Sequence, residues 1–244
     1  MNYPDLTIGI CTYKRPWYAM LTLNQMKQIR YAGRIKFHIA DGGSKQEDIE
    51  YYKLILRDYE TTVGVTSNLS DMVNSCAHNS GELWIVAMDD FMPRRSFDIT
   101  PDVRLLLEHP EIGCVRFSRL AFWGNGGDSP PETSADLVTV AGGGLHWWRL
   151  DKQRTKDVYS CNMGFHLYHR RFWDAYGDIA PCPPDHPGLA EHNGRDRYNN
   201  KPDGPTIAVP MRFAQDSPDT QEFIWHYGMW RTNEYLKHST TGRL

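Results

Sequence analysis

Blocks of apolar residues alternate with polar turns along the N-terminal part of the chain. Leu6–Cys11 is a short apolar run rich in β-branched residues, closed by the turn Thr12-Tyr13-Lys14-Arg15-Pro16. From Trp17 to about Ile29, apolar residues at Met20, Leu21, Leu23 and Met26 follow a helical spacing. Phe37–Ala40 reads as a second strand, stopped by Asp41-Gly42-Gly43-Ser44. Glu47–Tyr59 reads as a second helix, with Ile49, Tyr52, Leu54, Ile55 and Leu56 on its apolar face. Val63–Thr66 predicts a third strand, Ser70–Asn79 a third helix, and Leu83–Met88 a fourth strand running directly into Asp89-Asp90.

Strand-helix alternation with short links predicts right-handed crossovers and a largely parallel sheet. Ligands of such sheets bind off the carboxyl ends of the strands. Those ends carry polar clusters here: Thr12–Arg15, Asp41–Ser44, Ser67-Asn68 and Asp89-Asp90. Each on its own is an ordinary turn; together they predict a shared site.

Beyond Pro93 the pattern loosens. Val103–Glu108 is helical and Gly113–Leu120 strand-like, and Gly124–Ser134 is a loop. Leu137–Ala141 predicts a strand, followed by a glycine triplet and His146-Trp147-Trp148. Arg170–Tyr176 predicts a short helix, and Tyr176–Pro205 an irregular loop or lid rich in Pro, Gly, Asp and Asn. Ile207–Val209 and Met211–Ala214 read as final strand pieces, and Phe223–Lys237 is rich in aromatics. No repeat or linker divides the 244 residues, so a single domain is expected.

Composition narrows the function. A net charge of −3 without a basic block disfavours a dedicated nucleic-acid binder. Five cysteines, widely spaced and without a Cys-x-x-Cys pair, read as reduced thiols of a cytoplasmic protein. No stretch approaches the ~20 apolar residues of a membrane span, and the first residues lack the charged and apolar regions of a signal peptide. Aromatic content of 12% suits core packing and sugar or base stacking alike.

The adjacent acids Asp89-Asp90 at the end of a buried strand repel one another unless a cation, hydrogen bonds or solvent stabilise them. A strand-end turn with capping duty accounts for such a pair. So does Mn²⁺ or Mg²⁺ shared with substrate phosphates, the usual arrangement in nucleotide chemistry.

The stretch from Ser67 to Pro93, with its Asn-bearing helix, Gly81-Glu82-Leu83-Trp84 step and acid-terminated strand, resembles the centre of family 2 glycosyltransferases of the GT-A fold. Leu6–Arg15 resembles that family's first strand and nucleotide loop, and His38–Ser44 its second strand. Cys161–Gly177, with Gly164-Phe165-His166-Leu167-Tyr168-His169, resembles the segment before its acceptor-side helix. The resemblance implies an α/β, Rossmann-like sandwich with a mostly parallel central sheet and a loop-rich C-terminal acceptor side. Residues 1–93 would bind the nucleotide-sugar and 94–244 the acceptor. The pattern departs at Met88, which stands where the first acid of Asp-x-Asp is usual, and at Leu69 and Cys76, where glycine is common.

Roles implied by the resemblance follow residue by residue. Thr12, Tyr13 and Arg15 would line the nucleotide, with Tyr13 near base or ribose and Arg15 near phosphate. Asp41 would accept a hydrogen bond from the base, and equally forms a turn before Gly42-Gly43. Asp90 would hold the metal, with Asp89 at the ribose or behind the metal; a register shifted by one makes Asp89 the first acid and Phe91 a lost third. Asn74 is expected to be structural. His226 is the expected metal-completing histidine, with His146 its competitor. Asp196, then Glu191, are the expected catalytic bases in the charged segment Gly188–Asp196. Trp147 and Trp148 read either as a sugar-stacking wall or as core.

The function implied is metal-dependent inverting transfer from a nucleoside-diphosphate sugar, with a UDP-sugar the expected donor, to an acceptor hydroxyl. That hydroxyl belongs to a glycan or glycolipid, or to a protein or hydroxylated DNA base. Two alternatives stand beside it. A nucleotidyltransferase would carry a glycine-rich phosphate loop after the first strand, and this loop has no glycine. A degenerate GT-A binding module would fit Met88 and not the retained acid pair.

Overall fold

The computed structural model describes residues 2–93, 96–117, 135–142, 144–150, 165–183, 186, 188–210 and 224–226. In chain order the elements are β1 (Leu6–Thr12), α1 (Pro16–Met26), β2 (Ile29–Arg30), β3 (Ile35–Asp41), α2 (Gln46–Ile55), β4 (Glu60–Val65), α3 (Leu69–His78) and β5 (Leu83–Met88). Then come β6 (Phe91–Pro93), β7 (Phe97–Asp98), α4 (Thr100–Glu108), β8 (Ile112–Arg116), β9 (Ala135–Thr139) and β10 (His146–Leu150). The chain continues through β11 (His166–His169), α5 (Arg170–Tyr176), α6 (Gly188–Asn199), β12 (Thr206–Pro210) and β13 (Ile224–His226).

The apolar runs form one sheet in the order β4-β3-β1-β5-β11-β8-β12-β10-β9. Strands β4, β3, β1 and β5 are parallel. β11 opposes both its neighbours, β12 runs with β8, and β10 opposes β12 and β9. Only β10 and β11 therefore run against the common direction, so the sheet is mostly parallel as expected. β1 and β5 read as near-continuous apolar runs because both sheet faces are covered. One face packs Leu6, Ile8 and Ile10 against α1, α2 and α4. The other packs Cys11, Ala40, Trp84 and Val86 against α3, α5 and α6.

Helix α3 approaches β1 closely enough that a Cβ on Gly9 would lie 2.7 Å from Cys76 Sγ. A glycine on the strand thus leaves room for the Cys76 side chain on the helix. Asn74 is structural, as expected. Its amide brackets Ile179 at 2.9 Å on both sides, accepting from the backbone N–H and donating to the carbonyl.

Several boundaries differ from the sequence reading for identifiable reasons. α1 stops at Met26, because Ile29 and Arg30 leave the helix to pair with β7. Trp147 is core, fully buried in β10 with its indole N–H donating to Asp102 at 2.8 Å, so it is no mobile wall; Trp148 lies half-buried on the opposite face of that strand. The segment expected to be an irregular loop from Tyr176 to Pro205 contains the three-turn helix α6. Its buried stripe is Ala190, Gly194 and Tyr198, spaced by four but too small and mixed to register as an amphipathic pattern. The loop 124–134, the strand expected at Met211–Ala214 and most of 223–237 lie outside the described residues. Among the described residues no helix is long and apolar enough to cross a membrane.

One buried ionisable group sets an acid limit on this fold. His38 in β3 is 1% exposed, with ring nitrogens 2.8 Å from Thr62 Oγ1 and 2.9 Å from Ser75 Oγ. Burial lowers its pKa to about 4 from an ordinary 6.5. Between those values the unfolded chain binds the proton and the folded one does not. Stability is therefore complete above pH 6.5 and falls by up to about 3 kcal/mol as the pH drops towards 4. Urea denaturation of the wild type and of His38→Gln across pH 4–7 should show this as a shallower pH slope in the variant; parallel slopes would remove His38 as the cause.

Candidate active site

The register of the parallel strands aligns the polar strand ends. Thr12 is paired with Asp41 across β1 and β3, and Cys11 with Met88 across β1 and β5. Asp89, one residue beyond Met88, therefore stands beside Thr12, and its amide donates to the Cys11 carbonyl at 2.9 Å. Asp41, Thr12 and Asp89 form a row about 10 Å long, two strand spacings, on the carboxyl edge of the sheet.

At the acidic end, Asp89 is fully buried and Asp90 5% exposed. Thr12 Oγ1 donates to Asp89 Oδ2 at 3.0 Å, and Thr22 Oγ1 to the Asp89 carbonyl at 2.6 Å. Arg15 bridges the pair: one guanidinium nitrogen contacts Asp89 Oδ1, and the other lies 2.8 Å from Asp90 Oδ2. Burial pushes the Asp89 carboxyl up to about 7, and Asp90 adds to the rise, while the Arg15 cation opposes both. Hard carboxylate oxygens at a strand end are the donor type that Mn²⁺ or Mg²⁺ takes together with phosphate oxygens; among the described residues no group of three or more His, Cys, Asp or Glu is gathered to hold such an ion.

At the other end, Asp41 Oδ2 accepts the backbone N–H groups of Gly43 and Ser44, both at 2.8 Å. The turn-forming role is thus real. Asp41 Oδ1 is buried without a hydrogen-bond partner. The Tyr13 ring, 48% exposed, lies over Gly42, where an added Cβ would come within 2.5 Å of it. Between Tyr13 and Arg15, Lys14 takes a left-handed φ of 52°. That conformation costs a non-glycine residue about 1–2 kcal/mol. It sends successive side chains different ways, Tyr13 towards Asp41 and Arg15 back to the acids.

The other expected residues are placed by backbone. β13 pairs with β6 so that His226 stands opposite Phe91, next to Asp90 in the chain. The competitor His146 opens β10, four strands from β5 and so about 19 Å across the sheet. Register brings together Asp90 and the backbone of His226; it does not bring His146 near.

Glu191 and Asp196 share α6, whose direction can be traced. Gly177, at a φ of 73°, ends α5. The chain then runs back along α3: Asp178 meets His78 at its last residue, Ile179 meets Asn74, and Ala180 accepts from Ser70. Cys182 reaches Asn68 at the N-cap of α3, on the site side of the sheet. In α6, Asn193 donates to the Ala180 carbonyl at 3.1 Å, and further along Tyr198 meets Thr206 at the opposite edge. Glu191 is in the first turn, near the site edge. Asp196 lies about 7.5 Å lower, opposite the buried stripe, half-exposed and paired with Arg195 at 2.9 Å.

Two contributors escaped the sequence. Thr22 sits in the buried stripe of α1 with Ala19, Leu23 and Met26, a polar residue at an apolar position, and that mismatch was the available signal. Tyr18 stacks on Arg15, 5.6 Å from guanidinium carbon to ring centre, and nothing in the local sequence marks it.

No protein-family profile and no curated protein matches the sequence. The fold is similar to several solved structures at low identity. S. aureus TarS residues 1–349 in complex with UDP matches with a TM-score of 0.59 and 11% identity, over 84% of this chain and 57% of that one. The mannosyltransferase PcManGT of Pyrobaculum calidifontis with GDP-Man and Mn²⁺ matches at 0.55 and 12%, over 86% and 57%. Glucosyl-3-phosphoglycerate synthase of Mycobacterium tuberculosis with Mn²⁺, UDP and phosphoglyceric acid matches at 0.52 and 10%, over 84% and 68%. This chain thus spans little more than half the length of the first two. The sheet order and these likenesses together give the chain a GT-A, Rossmann-like fold.

Proposed function

We propose that the protein is a metal-dependent, inverting glycosyltransferase that takes a sugar from a nucleoside diphosphate, with a UDP-sugar as donor. The observation carrying this is the row Asp41–Thr12–Asp89/Asp90, a base acceptor at one end and an acid pair at the other. Residues 1–93 form the donor half, and later residues supply the acceptor side. In this reading Asp41 Oδ1 accepts the base N–H, Tyr13 covers the base or ribose, and Asp89 reaches the ribose or stands behind the metal. Asp90, with His226, holds Mn²⁺ or Mg²⁺, which supplies positive charge to the leaving diphosphate. Arg15 adds a bidentate phosphate contact. A carboxylate of α6 accepts the acceptor hydroxyl's proton, and the helix direction favours Glu191 over Asp196. The likeness of the fold to proteins solved with UDP, GDP-Man and Mn²⁺ supports a nucleotide-sugar donor.

The test is a screen of nucleotide-sugars with Mn²⁺, read by release of nucleoside diphosphate, followed by mass spectrometry of candidate acceptors. Release from one donor class is expected; no release across the panel, or pyrophosphate from a nucleoside triphosphate and a sugar phosphate, would refute it. Asp41→Asn tests the base contact. Its amide oxygen still serves Gly43 and Ser44, while its NH₂ faces the base N–H. UDP affinity should fall about 10-fold or more with little change in melting temperature. Unchanged affinity would leave Asp41 only its turn.

A further inference from the structure

We propose that Arg15 is the resident counter-ion of the Asp89–Asp90 pair and yields its place when metal and nucleoside diphosphate enter together. This rests on the donor-site reading above. Arg15 contacts both acids, and its side chain is 21% exposed while theirs are 0% and 7%. The guanidinium thus closes the pair on its solvent side. It projects from the left-handed turn at Lys14, at the start of a helix that has no side-chain cap, and rests on the half-buried ring of Tyr18.

Two adjacent carboxylates in a buried setting need a cation, hydrogen bonds or solvent to offset their repulsion. Here Arg15 meets that requirement before any ligand arrives. A bare divalent ion must break two charge-assisted hydrogen bonds and leave the guanidinium without an anion. An ion arriving with a diphosphate offers the guanidinium a new fork of oxygens, which its planar donors match. Metal therefore binds weakly alone and strongly with nucleotide, and by linkage nucleotide binding depends on metal to the same factor. Free divalent cations therefore occupy the donor site unproductively far less than they would without Arg15.

Calorimetry with Mn²⁺ alone, then with UDP in the absence and presence of Mn²⁺, measures this directly. Arg15→Gln should bind bare Mn²⁺ about 10-fold tighter than the wild type, and the Mn²⁺–UDP coupling should shrink by a comparable factor. If Arg15→Gln does not fold, Arg15→Lys serves: it keeps the charge but cannot bridge both acids, so bare Mn²⁺ should bind about 3-fold tighter. Unchanged or weaker bare-Mn²⁺ binding in the folded variant overturns the counter-ion role. Failure of the wild type to bind UDP under any condition would instead overturn the donor-site reading, and the bare-metal comparison would still decide what Arg15 does.

Discussion

Asp90→Asn is expected to weaken Mn²⁺-supported UDP binding by about 10²-fold or more and to suppress transfer at least as strongly. The substitution keeps size and one acceptor oxygen and removes one charge from the acid pair. The fold should tolerate it, because Asp89 retains Arg15, Thr12 and the backbone contacts that hold the strand end. A chelator applied to the wild type should reproduce the loss, and Asp90→Asn should respond little to chelator. Asp89→Asn makes the contrast. That side chain is fully buried between Thr12 and Arg15, so a lower melting temperature should accompany any loss of binding. UDP affinity that is the same with Mn²⁺, with chelator and in Asp90→Asn would end the metal role of this residue.

The N-terminal half was legible because its strands are short apolar runs with polar stops. Leu6–Cys11 and Leu83–Met88 could be placed almost to the residue, since a central parallel strand buried on both faces has no polar position to blur its ends. Strand-end placement then followed from crossover topology, which set Thr12, Asp41 and Asp89 on one edge without any contact being known. What the sequence could not supply was pairing between distant residues. Arg15 is 74 residues from Asp89 and shares no local pattern with it, so an ion pair already satisfying the acids was invisible. The later half was harder for a different reason. Its strands β8, β12 and β10 are neighbours in the sheet but widely separated in sequence, and β11 enters between β5 and β8 against both. Order along the chain says little about such a mixed region. α6 hid behind a stripe of Ala, Gly and Tyr, while its Arg, Asp, Asn and Gly content reads as loop.

The proton acceptor is where the fold most changes the expectation. The resemblance to the glycosyltransferase family put the base in the charged segment Gly188–Asp196, with Asp196 the first choice and Glu191 the second. A helix over that segment gives its two acids different heights and different faces. Glu191 lies one residue past buried Ala190 in the first turn, at the edge of the sheet that carries Asp41 and Asp90. Asp196 lies a turn and a half below, on the face away from Gly194 and Tyr198, engaged with Arg195. Glu191→Gln, near-isosteric but unable to take a proton, should leave UDP affinity intact and cut transfer by about 10²–10⁴-fold. The remaining turnover should lose its dependence on pH on the acidic side, because that limb reports protonation of the base. Asp196→Asn should transfer at nearly the wild-type rate. Both variants are to be compared at saturating donor and acceptor, with nucleotide affinity measured separately so that a binding defect is not read as a chemical one. Loss in Asp196→Asn with normal turnover in Glu191→Gln would restore the order read from the sequence. Normal turnover in both would take α6 out of the chemistry and send the search for the base to another element of the acceptor side.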